Sequence, residues 1–95
     1  MQDFLDAFDA LTFGAFTGTA HDRRYVVVKS GFAGGASQKL VAEELGGSDY
    51  ISLNLYRTRS GALLHPCEMP ETKVIAFILD LRIDAAPYYG KGGAR

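Results

Sequence analysis

The sequence predicts an α+β domain, with helices packed on an antiparallel sheet of about four strands in the order αββαββα. Three observations predict it. Segments rich in β-branched residues are interspersed with segments whose apolar residues recur at helical spacing. No internal repeat or dividing linker interrupts them. The length of 95 residues corresponds to one domain. Residues 1–86 are assigned to that domain, and residues 87–95 are expected to form a flexible tail.

The first element, "MQDFLDAFDAL", reads as a helix because Phe4, Phe8 and Leu11 recur at i, i+4 and i+7. Asp3 and Asp6 sit near its positive dipole end. "TFGAFTGT" reads as a strand that its glycines can bend. "AHDR" is a polar turn, and "RYVVVKS" is the clearest strand by β-branched content. "GFAGGA" is a loop, and "SQKLVAEEL" reads as a short helix capped by Ser37, with Gly46 as its terminator. "DYISLNLYR" alternates strictly from Tyr50 to Tyr56, "TRSG" turns the chain, and "ALLH" returns as a hairpin strand. "PETKVIAFILDLRI" has strand-favouring residues. It reads as a helix on its length, with Pro70 as the first helical residue, Glu71 in the first turn and Arg82 in the last.

The totals set limits on function. The chain is 47% hydrophobic and 22% charged, an ordinary globular composition. Its longest apolar run, Val74 to Leu79, falls far short of the roughly 20 residues needed to cross a bilayer, so no membrane partner is expected. Asp3, Asp6 and Asp9 replace the basic patch of a secretory signal. A lone cysteine, Cys67, makes no internal disulfide, which fits a cytoplasmic protein. A net charge of −1 gives no overall attraction to nucleic acid.

The densest chemistry is "LLHPCEMPETK", with Cys67, His65 and Glu68 between two prolines. A cysteine nucleophile needs a base and an oxyanion site brought together from separate elements, and nothing in the sequence places His21 there. A structural zinc site needs about four ligands in paired short spacings, and these are absent. The prolines supply a simpler account: Pro66 ends a strand, Pro70 starts a helix, and Cys67 and Met69 fill the corner. No enzyme activity, metal or cofactor is therefore expected. "KSGFAGGASQK" runs from a strand into the expected helix, a setting that suits an anion. It matches neither the Walker pattern nor G-x-G-x-x-G.

The alternation in "YISLNLY" carries the functional expectation. Ile51, Leu53 and Leu55 point to the core, while Tyr50, Asn54 and Tyr56 point away. Tyr25 and Lys29 are expected to join them on an outer sheet face, with Arg57 and Arg59 at its rim. Tyrosine and arginine are interface hot-spot residues. The expected function is a small adaptor or inhibitor, of the kind phages and mobile elements encode, that binds a protein partner through these residues. The alternative is single-stranded nucleic acid held by stacking and phosphate contacts on the same face. The last helix is apolar on more than one side, so residues 70–82 are also expected to support a homodimer.

Overall fold

The computed structural model describes residues 1–84. The expected tail at 87–95 lies outside the described residues, as do the last two residues of the expected domain. The described chain is a small α+β domain: one six-stranded antiparallel sheet carries two helices. The elements are α1 (Gln2–Asp9), β1 (Gly14–Ala20), β2 (Arg23–Phe32), β3 (Ser37–Glu44), β4 (Tyr50–Thr58), β5 (Gly61–Pro66), α2 (Glu71–Asp80) and β6 (Arg82–Ile83). The sheet order is β5-β4-β3-β2-β1-β6, so β1 to β5 form a simple meander. The expected αββαββα order with four strands is thus corrected to two helices and six strands.

The largest correction is β3. "SQKLVAEE" is not a helix but a strand paired along its full length, with β2 on one side and β4 on the other. Its helix-favouring Gln, Lys, Ala and Glu residues are overruled by these two ladders, because strand preference depends mainly on sheet context. Gln38, Leu40 and Ala42 point into the core. The glycine loop before it therefore leads into a strand, through a 3₁₀ turn at Ala33–Gly35. No helix N-terminus stands there to hold an anion.

One sheet face buries Tyr25, Val27, Leu40, Ala42, Ile51, Leu53 and Leu55 against Phe4 and Phe8 of α1 and Val74, Phe77 and Ile78 of α2. The hairpin between β1 and β2 turns on His21 and Asp22, both at positive φ (51° and 63°), as expected for a two-residue turn that matches sheet twist. The segment after Pro66 is the expected corner: β5 ends there, and Pro70 caps α2 from outside the first turn. α2 ends at Asp80, and Arg82 belongs to β6, not to the last helical turn. β6 pairs with β1 at Gly18, where a Cβ would lie 2.8 Å from a methyl of Leu81 and 2.9 Å from the Arg82 carbonyl oxygen. A glycine is what lets this edge close.

α2 explains its all-round apolar character by packing on α1 as well as on the sheet. Val74, Phe77, Ile78 and Leu81 are buried and Ile75 packs on the core, which leaves Leu79 as the helix's exposed large apolar residue. Apart from Leu79, the large apolar residues of the 70–82 segment pack in or on the core. Among the described residues, no helix is long and apolar enough to cross a membrane.

Candidate functional site

Both helices cover the same sheet face, and among the described residues nothing packs over the other face of β1 to β5. Side chains on it follow from the register. Tyr56 lies between Leu63 of β5 and Ser37 of β3, with Phe32 of β2 beyond. Asn54 lies between His65 and Lys39. The next row crosses Ser52, Val41, Val28 and Ala15, and the next Tyr50, Glu43, Val26 and Thr17.

A solvated antiparallel face normally alternates polar-out against apolar-in. This one does not. Val28 is 45% exposed, Phe32 62%, Tyr50 43% and Leu63 52%, with Val26 and Tyr56 also open to solvent. Toward the β5 edge the apolar surface gives way to a polar and aromatic ridge. The Tyr56 and His65 rings meet edge-on at 5.3 Å, and Asn54 Nδ2 donates to Cys67 Sγ at 3.4 Å.

The residues expected to share this face divide. Tyr50, Asn54 and Tyr56 are on it. Tyr25 and Lys29 are on the opposite, helix-covered face, at 1% and 2% exposure. The register decides this: Tyr25 pairs with Glu44 and Lys29 with Leu40, whose own neighbour is core Leu53. Arg57 also points to the helix layer, where it forms an ion pair with Asp9. Arg59 lies exposed in the β4–β5 turn, off the face. Val26, Val28, Val41, Leu63, Lys39 and Glu43 take the places the sequence reading gave to Tyr25 and Lys29. The signal for them was weak, because the valines of β2 fall on both faces and its alternation does not choose between them.

The two inward residues are structural. Lys29 Nζ donates to the carbonyl oxygens of Phe8 (2.7 Å) and Leu11 (3.0 Å), just past the end of α1, and lies over the Phe8 and Phe13 rings. Burial pulls its pKa below the usual lysine value, and the nearby Asp9 carboxylate opposes that. Tyr25 donates its hydroxyl to Asp49 Oδ2 at 2.8 Å, and Lys73 Nζ donates to Asp49 Oδ1 at 2.7 Å. This cluster ties β2, the β3–β4 loop and α2 together. Bonding to Lys73 holds the Asp49 carboxyl below the usual range. Burial, and then the bond to Asp49, push the Tyr25 hydroxyl from 10.0 to about 12.

A raised tyrosine pKa stabilises the fold below pH 10 and loses that contribution as pH rises toward 12. Wild type should therefore lose about 2–3 kcal/mol over that interval relative to Tyr25→Phe. The variant itself should be about 1 kcal/mol less stable at neutral pH, having lost one hydrogen bond. Denaturant unfolding at several pH values checks this. Parallel alkaline slopes in the two proteins would contradict it.

Two basic side chains near the face are in ion pairs, whereas Lys39 on it is in none among the described residues. Arg23 pairs with Glu44 at 3.8 Å and Arg24 with Asp84 at 2.8 Å. Among the described residues, no three of His, Cys, Asp and Glu gather as metal ligands. No protein-family model, curated protein or solved structure matches the chain.

Proposed function

We propose that this protein acts by binding a protein partner on the bare face of its sheet, as a small non-catalytic adaptor or inhibitor. One observation carries the reading: Val26 and Val28 of β2, Phe32, Tyr50, Tyr56 and Leu63 stand open on one sheet face, where a solvated sheet would be mostly polar. The anchors are Tyr50 and Tyr56 with Val26, Val28 and Leu63, and Asn54 supplies a polar contact. Tyr residues at the edges of an apolar centre match the anatomy of protein interfaces.

The nucleic-acid alternative has less support. It needs several unpaired cations beside stacking rings, whereas Lys29 is buried and Arg23, Arg24 and Arg57 are in ion pairs, which leaves Lys39 on the face and Arg59 in the β4–β5 turn.

Affinity capture compares wild type with Tyr50→Ala/Tyr56→Ala and with Leu79→Ala, a control on the helix layer. A protein retained by wild type and the control, and lost from the double tyrosine variant, is the expected result. An identical set of captured proteins for all three would refute the outer face as the binding surface. Oligonucleotide binding that weakens with salt and needs the tyrosines would replace the protein partner with a nucleic acid.

A further inference from the structure

We infer that one occupant of this face is a second copy of the chain, docked sheet on sheet with β3 antiparallel on β3 about a two-fold axis level with Val41. The inference rests on the proposed function and names a partner for the same surface.

Charge placement on the face is self-complementary about that axis. Residues on a two-fold axis meet their own copies, so a charge there faces its like. The row level with Val41 carries none: it crosses Ser52, Val41, Val28 and Ala15. Two residues to either side of Val41 on the same strand stand Lys39 and Glu43, both exposed. Their cross-strand neighbours are uncharged: Asn54 and Ser30 for Lys39, Tyr50 and Val26 for Glu43. No ion pair among the described residues includes either one.

A two-fold that brings one face against itself lies in the plane between the sheets. If it runs across the strands at Val41, Lys39 of each copy lies over Glu43 of the other, and Val41 and Val28 meet their own copies. If it runs along β3, Lys39 faces Lys39 and Glu43 faces Glu43. Only the first arrangement pairs opposite charges. Packed sheets cross at about 30°. Lys39 and Glu43 lie only ~7 Å from the axis. The crossing angle displaces them by a few ångströms, within reach of two long side chains. Five strands at ~4.8 Å spacing and about seven residues at ~3.4 Å rise give a face on the order of 600 Å². That approaches the roughly 800 Å² per partner of a standard interface.

The test is sedimentation velocity of the full chain from low to high micromolar concentration, with Lys39→Glu, Glu43→Lys and the double exchange. Wild type should show a concentration-dependent dimer. Each single variant should weaken it at least ~10-fold, by setting like charges opposite each other twice per dimer. The double variant should return to within about threefold of wild type, because the pairs are restored with reversed polarity. Circular dichroism checks that all four proteins fold. A wild-type chain that stays monomeric overturns the inference, as does a dimer that the single variants leave intact or the double variant fails to rescue. If capture of another protein still depends on Tyr50 and Tyr56 in that monomer, the proposed function stands without the second copy.

Discussion

Lys29→Ala should cost about 3–5 kcal/mol of folding stability, far more than a lysine on a solvated face would. Its ammonium satisfies the Phe8 and Leu11 carbonyl oxygens at the end of α1, where a positive charge also complements the helix dipole. Its ammonium also lies over the Phe8 and Phe13 rings, 4.5 Å and 4.7 Å from their centroids. Truncation removes both the donor and the packing. Lys29→Met keeps the packing and should cost only about 1–2 kcal/mol, the penalty for leaving buried carbonyls unsatisfied. Urea unfolding of the two variants against wild type measures both numbers. A cost within about 0.5 kcal/mol for alanine would mean that the lysine lies in solvent, and would reverse the face assignment of β2.

Phe77→Ala should be at least as damaging, at about 3–5 kcal/mol. Phe77 is 1% exposed and meets the Tyr25 ring edge-on at 4.8 Å, so it joins α2 to the centre of the sheet. Its loss leaves a cavity and frees the ring whose hydroxyl bonds Asp49. Leu79→Ala, on the same helix but 51% exposed, should change stability by no more than about 0.5 kcal/mol. Thermal unfolding of both variants checks the contrast. Equal costs would contradict the orientation of α2, and an oligomer broken by Leu79→Ala would return the association surface to the 70–82 segment.

Elements with a single dominant period were legible in the sequence. α1 showed Phe4 and Phe8 on one stripe, although the helix stops at Asp9, short of Leu11, and β4 alternated without exception. The corner from Pro66 to Pro70 followed from proline chemistry. β3 was not legible, because its composition favours a helix while its period-2 pattern is carried partly by small Ala42 and polar Gln38. β6 has only two residues and depends on the approach of Leu81 and Arg82 to Gly18.

The site inherited the error in β3. Tyr50, Asn54 and Tyr56 were placed correctly on the face opposite the core strand residues, because β4 carries its own alternation. β2 has apolar residues on both faces, so its orientation is set by its partner strand. With β3 read as a helix, nothing in the sequence tied Lys29 to Leu40 or Tyr25 to Glu44. Tyr25 and Lys29 were therefore assigned to the outer face, which Val26 and Val28 of the same strand occupy.

The most direct test of the outer face as the binding surface is amide NMR of the labelled chain. It is concentrated against itself or mixed with a captured partner protein. Shifts are expected on β2, β3 and β4, centred on Val28, Val41 and Tyr56, with the exposed side of α2 around Leu79 unchanged. Shifts centred on α1 and α2, with those strands unchanged, would contradict it.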